Sequence, residues 1–353
     1  MNLAGPAGDL LDATGPDTMA AVLADYGKVT KTAVRRYLAT ETPAPFLDDL
    51  LTDYPERGGK MMRPAICIAN ARVFGGRLED AVGSAAAVEI LHNALLIHDD
   101  IQDESELRRG RPTLHALHGV PLAINAGDAM MMAALRPLLD GLRAFSPSLA
   151  TKILDVTQTM ARETAEGQAL ELGWRSHNRL DITEPDYLTM VLKKTAWMGM
   201  IWPDQLGLLI GSRGEADPDS VVRFGFFLGA AFQIEDDLRN LSVDPGYGKE
   251  MNGDLLEGKR TLMLIHVRAA CAPDEQRELD AFLGLRRENR TAEQVSWLAD
   301  LMRRYGSIEH ARTSAHALAG AAAYECDRLY GHLPRTADRD FLAGLVGWVF
   351  DRA

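Results

Sequence analysis

The chain predicts an all-α fold on three observations. Long segments carry Ala, Leu, Met and Glu at the spacing of amphipathic helices. Period-two runs of Val, Ile, Thr and aromatics bounded by turn residues, the mark of strands, are hard to find. Clusters of Gly, Pro, Asn and Asp cut the chain into helix-length pieces near 57–59, 110–112, 119–121, 146–147, 178–185, 214–218 and 244–248. None is long enough for an interdomain linker, so residues 18–353 read as one domain. Residues 1–17, rich in Gly, Ala, Pro and Asp, read as a loose tail without the basic and apolar regions of a signal peptide.

Taken in order, segment 79–98 places Val82, Ala85, Val88, Leu91 and Leu95 on one stripe and runs into an acidic cluster. The stretch from Tyr187 to Ile210 is helical in pattern but contains Pro203, which lacks an N–H and should kink or break it. Segment 219–240 is apolar nearly all round, as a central helix packed on several sides would be, and it too ends in carboxylates.

Composition narrows function by exclusion. Fifty Asp plus Glu against 38 Lys plus Arg give a formal net charge of -12, which disfavours nonspecific binding to nucleic acid or to an anionic membrane face. Cys67, Cys271 and Cys326 are far apart and in no metal-ligand spacing, so free thiols in a reducing cytoplasm are expected, with no disulfide and no zinc. The most apolar stretch, Val221 to Ile234, is interrupted by Arg223 and followed at once by Glu235, Asp236 and Asp237, so no membrane span is expected.

The chemistry lies in two acidic clusters. In Leu95-Leu96-Ile97-His98-Asp99-Asp100-Ile101-Gln102-Asp103, Asp99 and Asp103 sit one helical turn apart on a common face with Asp100 beside them. Phe232-Gln233-Ile234-Glu235-Asp236-Asp237-Leu238-Arg239-Asn240 repeats the pattern with Asn240 in the third slot. Oxygen-rich clusters without His or Cys suit Mg²⁺, which binds a few carboxylates, keeps waters and takes other ligands from substrate phosphates. One such cluster alone is commonly a solvated helix end; two, each after an apolar helix, point to a metal site. Near them stand Lys60 and Arg63 in GGKMMRP, Arg108, Arg109 and Arg111 in RRGRP, then Lys194, Lys249 and Lys259. In an acidic protein, cations gathered beside carboxylates fit recognition of a diphosphate through charge-assisted hydrogen bonds.

These stretches resemble the trans-isoprenyl (polyprenyl) diphosphate synthase family, and within it the geranylgeranyl and longer-chain synthases. The likeness runs from GGKMMRP at Gly58 through LHNALLIHDDIQDESELRRGRPTLH, GQALEL at Gly167 and KKTAW at Lys193 to FQIEDDLRNL and GYGKEMNGDLLEGKRTL, with a family-like last helix. It implies a helical bundle around a deep apolar pocket. It also implies that Asp99, Asp100, Asp103, Asp236 and Asp237 hold Mg²⁺, three ions per site with Mn²⁺ able to substitute, on an allylic diphosphate. Arg108, Lys194, Lys249 and Lys259 would then neutralise the leaving diphosphate. Lys60, Arg63, His92 and Arg109 match positions that hold isopentenyl diphosphate, and Thr195 and Gln233 match positions flanking the allylic cation. A homodimer is implied in the same way.

Asn240 in place of Asp weakens one metal contact, and Glu171 stands where the family pattern often has Asp. Product length should follow from side chains above Asp99. Ala94 is small and would not stop the chain, Leu95 is of middling size, and Leu91, with one of Met130 to Met132, would close the pocket at a twenty-carbon product. A longer product is the alternative, because Val88 and Ala87 beyond are modest. A terpene cyclase of the same fold is the rival enzyme, but it has no use for a second diphosphate site. A noncatalytic scaffold would have little reason to retain five metal-site aspartates.

Overall fold

The computed structural model describes residues 16–39, 44–241 and 252–351. Seventeen α-helices occur among them. Helices α1 (Pro16–Leu38), α2 (Asp48–Glu56), α3 (Met62–Val73) and α4 (Leu78–Gln102) come first. After a small hairpin follow α5 (Leu114–His118), α6 (Val120–Ala133), α7 (Leu135–Leu142), α8 (Pro147–Ser176) and α9 (Glu184–Val191). A π-helical segment, Leu192–Ile201, leads into α10 (Trp202–Gly211), and α11 (Val222–Asn240) and α12 (Gly253–Glu257) follow. The chain ends with α13 (Leu262–Ala270), α14 (Pro273–Leu283), α15 (Ala292–Arg304), α16 (Ser307–Tyr330) and α17 (Ala337–Trp348). The all-α expectation therefore holds. Helix α1 begins at Pro16, so the expected boundary at residue 18 falls in its first turn.

The exception to helix, among the described residues, is the hairpin that RRGRP forms. Strands β1 (Leu107–Arg108) and β2 (Arg111–Pro112) pair antiparallel with Arg108 opposite Arg111. The two loop residues, Arg109 (φ 54) and Gly110 (φ 72), are both left-handed, as a tight I′ hairpin turn requires. The turn buries Arg108 and sends Arg109 toward Tyr54 of α2.

Helices α4, α8, α11 and the π segment make the frame of the site. The expected break at Pro203 takes the form of a change in helical winding, not a gap. Pro203 is the second residue of α10, directly after the π segment, so its missing N–H falls where the winding changes. The π segment is gripped on two sides by glycines. A Cβ on Gly167 of α8 would lie 2.2 Å from the Lys194 nitrogen, and one on Gly229 of α11 would lie 2.7 Å from the Ala196 Cβ. Only hydrogen at these positions lets the backbones come so close.

Among the described residues three apolar clusters fill the interior. One gathers α3, α8, α10, α16 and α17; a second gathers α9, α11 and α13 to α16; the third joins α1 and α2 to the α4–α6 face. Helix α4 is, among the described residues, the one helix long and apolar enough to cross a membrane, but 61% of its most apolar window is buried inside the protein. It is a core helix that carries Glu89, His92, Asp99 and Asp100 along its length.

Candidate active site

A cavity of about 670 Å³ opens between α4, α8, the π segment and α11, with both acidic clusters on its rim. Leu91, Leu95, Met131, Met160, Met198 and Phe232 give it an apolar interior. Polar groups concentrate at one end because α4 and α11 both bring their C-terminal turns there.

In the first cluster, Asp99 and Asp103 face the cavity, one turn apart on α4. Asp99 accepts from Lys194 Nζ at 3.2 Å and from Gln168 Nε2 at 3.3 Å. Asp103 pairs with Arg175 at 2.7 Å, and burial followed by the charge of Asp99 pushes its pKa up to about 6 against the pull of Lys194 and Arg175. Asp100 is placed differently from Asp99 and Asp103. Its carboxylate is fully buried, accepts from Tyr54 Oη at 2.6 Å and from Arg108 Nε at 3.0 Å, and is absent from the cavity wall. Consecutive residues on a helix point about 100° apart, and here that step turns Asp100 toward Tyr54 and Arg108 while Asp99 faces the cavity.

The second cluster is built alike. Asp236 and Asp237 both reach the cavity wall, but Asp237 is 2% exposed and already engaged. It accepts from Tyr187 Oη at 2.8 Å, from Gln233 Nε2 at 2.9 Å and from Lys259 Nζ at 2.9 Å. Asn240 accepts the Asp254 N–H at 3.0 Å and so caps the start of α12, a structural task that its amide performs well. The Thr195 hydroxyl donates to Gln233 Oε1 at 2.8 Å, which links the π segment to Asp237 through one glutamine.

The cations are firmly charged. Burial works against Lys194 and Lys259, but the neighbouring carboxylates, Asp99 first for Lys194 and Asp237 first for Lys259, outweigh it and raise both pKa values. Lys194 also donates to the buried Glu171, whose own pKa is lowered because the charges of Lys194 and Lys259 overcome its burial. Arg63, His92 and Arg109 line the cavity together. His92 is kept neutral, its pKa pressed well down by burial and then by the charges of Arg63 and Arg109.

Some expected residues lie elsewhere. Lys60 does not line this cavity; it stands at a separate groove beside α1 and α17, over the Trp348 ring. Ala94 is fully buried in the cluster with Ala123, Ala126 and Met130 and is absent from the cavity wall, so it packs toward α6 while Leu91 and Leu95 face the cavity. Of the three methionines, Met131 borders the cavity, Met130 is core and Met132 is exposed. Lys249 lies outside the described residues.

Other contributors had no signal in their letters alone. Tyr54, Tyr187, Arg175, Glu257 and Arg287 take part only through the fold. Arg175 lies 3.6 Å from Glu257 as well as 2.7 Å from Asp103, and Arg287 lies 3.6 Å from Glu257. Gln168 falls within the GQALEL stretch, but its bond to Asp99 depends on the packing of α8 on α4.

The donor set fits Mg²⁺. It is all oxygen and it faces a cavity, which suits a hard cation that takes its other ligands from water and substrate phosphates.

Comparison with known proteins gives a consistent result. A family model described as polyprenyl synthetase matches residues 44–302. A protein named geranylgeranyl diphosphate synthase from Sulfolobus acidocaldarius is 36% identical over 255 residues, 72% of this chain and 76% of that one. One named octaprenyl diphosphate synthase from Escherichia coli is 32% identical over 291 residues, 82% of this chain and 84% of that one. The crystal structure of geranylgeranyl pyrophosphate synthetase from Pyrococcus horikoshii superposes with a TM-score of 0.83 at 28% identity, covering 96% of this chain and 99% of that one.

Proposed function

We propose, from the premise that this chain belongs to the polyprenyl synthetase family and is a trans-polyprenyl diphosphate synthase, that its main product is geranylgeranyl diphosphate. The observation carrying this reading is the spacing of the wall residues above the first acidic cluster. Leu95 and Leu91 lie about 6 Å and about 12 Å above Asp99 along the α4 axis, at a rise of about 1.5 Å per residue. Leu91, with Met131 across the cavity, would end the pocket after a few isoprene units.

In this reading Asp99, Asp103 and Asp236 hold Mg²⁺ together with the substrate diphosphate. Magnesium, when bound, supplies Lewis-acid neutralisation of the departing group. Arg108, Lys194 and Lys259 add fixed positive charge where the allylic C–O bond breaks, and charge already in place needs little reorganisation as the anion develops. The oxygens of Thr195 and Gln233 flank the resulting carbocation. Leu95, Phe232, Met160 and Met198 keep water from it. Arg63, His92 and Arg109 hold isopentenyl diphosphate, with Lys60 joining them by moving from Trp348. The isopentenyl π electrons form the new C–C bond, and the proton then lost passes to the released diphosphate. Lys249 is included among the leaving-group cations on resemblance alone.

A homodimer fits the apolar residues exposed on α5, α6 and α7, among them Leu117, Val120, Ile124, Met132, Leu135 and Leu139. A cytoplasmic enzyme with one catalytic domain from residue 18 onward completes the reading. The test is incubation of the purified protein with isopentenyl diphosphate and each allylic diphosphate, followed by identification of the dephosphorylated alcohols. A dominant twenty-carbon alcohol supports the proposal. Longer alcohols would move the pocket floor beyond Leu91, and cyclic hydrocarbons would favour a cyclase.

A further inference from the structure

The second aspartate of each acidic cluster is bound in the same way. Asp100 on α4 accepts a hydrogen bond from the hydroxyl of Tyr54, a residue of α2, and holds the guanidinium of Arg108. Asp237 on α11 accepts from the hydroxyl of Tyr187, a residue of α9, at 2.8 Å and holds the ammonium of Lys259. Both tyrosines are fully buried, and neither borders the cavity. Both cations do border it.

From this repeated arrangement we infer that Tyr54 and Tyr187 are positioning residues for the transferase reaction, each acting through its aspartate to aim one cation, Arg108 or Lys259, at the leaving diphosphate. The inference rests on the diphosphate reading of the cavity given above.

The chemistry of the tyrosines supports it. Each phenol O–H points at a carboxylate oxygen, at 2.6 Å for Tyr54 and 2.8 Å for Tyr187, and donates to it. A donated hydrogen bond fixes the rotation of the carboxylate, and the carboxylate then fixes the cation. Without the phenol one carboxylate oxygen loses its donor, so the aspartate is held less tightly and the cation on it is aimed less well without leaving the site.

The sequence context supports the same assignment. Tyr187 sits in the first turn of α9, whose start is held by the Thr183–Asp186 capping box, with the Asp186 carboxylate accepting from the Thr183 N–H at 2.9 Å. Tyr54 sits in α2, and its backbone carbonyl also accepts from Arg109 Nη1 at 3.0 Å. One tyrosine thus engages two of the hairpin's three arginines, Arg109 through its carbonyl and Arg108 through Asp100.

The test is a pair of double-mutant cycles, Tyr54→Phe with Asp100→Asn and Tyr187→Phe with Asp237→Asn, on the full-length enzyme. Each protein is read by thermal melting, by kcat and by KM for isopentenyl diphosphate. Calorimetry of inorganic diphosphate with Mg²⁺ gives a fourth reading that needs no turnover. Each Tyr→Phe change should lower kcat, and weaken diphosphate binding, on the order of tenfold, the weight of one lost hydrogen bond to a charged group. KM for isopentenyl diphosphate should move less than about twofold, since the affected cation faces the other substrate. In the matching Asp→Asn background the Tyr→Phe change should add nothing, while the crossed pairs should add their effects. Lower melting temperature with unchanged kcat and diphosphate affinity would overturn the inference, as would additive effects within a matching pair. Failure of both tyrosine variants to fold would also overturn it, since the hydroxyls would then be structural. If the parent protein bound Mg²⁺-diphosphate with this coupling but made no prenyl product, the functional reading would fail and the positioning inference would stand.

Discussion

Lys60 stands over the indole of Trp348, with its Nζ 5.3 Å from the ring centroid, so the last helix holds a cation that the isopentenyl site would need. A cation–π contact at a partly exposed position contributes roughly 0.5–1 kcal/mol, which is about two- to fivefold in an equilibrium. Trp348→Leu should therefore lower KM for isopentenyl diphosphate about two- to fivefold, whereas Lys60→Ala should raise it. Initial rates over a range of isopentenyl diphosphate concentrations distinguish the two. Opposite signs are the required outcome.

Asp99 and Asp236 face the cavity from two different helices. Asp99→Ala and Asp236→Ala should each cut kcat on the order of a hundredfold or more, since each removes stabilisation that acts as charge separates, with little change in melting temperature. Excess EDTA should abolish turnover in the parent enzyme. Undiminished product formation under chelation would remove the metal from the mechanism.

Arg109 and Arg108 are adjacent in sequence but divided by the hairpin turn, one toward Tyr54 and Gly59 and one toward Asp100. Arg109→Ala should raise KM for isopentenyl diphosphate at a cost of about 1.5–3 kcal/mol, and Arg108→Ala should act mainly on the allylic half. Kinetics with each substrate varied in turn check the division.

Product length should respond to the residues that line the cavity. Leu95→Phe should shorten the product and Leu91→Ala should lengthen it, as read by chromatography of the dephosphorylated alcohols. Ala94→Phe tests the opposite face: a large ring forced between α4 and α6 should destabilise the fold by about 1–3 kcal/mol, visible as a lower melting temperature.

Asp204 is buried on α10, where it accepts from Asn70 Nδ2 at 2.7 Å and from Tyr330 Oη at 3.2 Å. Burial pushes its pKa up to about 8 against those two hydrogen bonds, and the groups near it, Cys67, Cys326 and Tyr330, carry no positive charge. A raised carboxyl pKa means that the folded state holds a proton that the unfolded chain gives up above about pH 4. Its contribution to stability is thus fully present below that pH and is lost as pH rises through about 8. Asp204→Asn should flatten the fall of melting temperature between pH 6 and pH 9 and stand above the parent at the alkaline end. A parallel fall in both proteins would show that another group titrates.

Much of this architecture was legible in the residues. Helical spacing marked α4 and α11, and the letters of the acidic clusters marked where their ends meet. Identical letters with different fates were not legible. Asp99 and Asp100 differ only in which way the helix turns them, and Tyr54, which claims Asp100, lies 46 residues away. Ala94 is small for packing against α6, a reason that reads the same in sequence as room for a growing chain. Pro203 announced an irregularity, but its expression as a π segment depends on α8 and α11 pressing on either side. Lys60 belongs to a motif whose Arg63 reaches the cavity, whereas Lys60 stands in the groove beside α1 and α17, over Trp348.

The site is assembled across long stretches of chain: Lys194 meets Asp99 over 95 residues, and Arg287 meets the Asp103 carbonyl over 184. Contacts of such separation pay their loop-closure entropy late in folding. A chain emerging from the ribosome therefore carries its first acidic cluster with Arg108 close behind it, but without Lys194 until a further 95 residues have been made. Tight affinity for metal and diphosphate should appear only in a later step, once α11 has brought the second acidic cluster to the cavity.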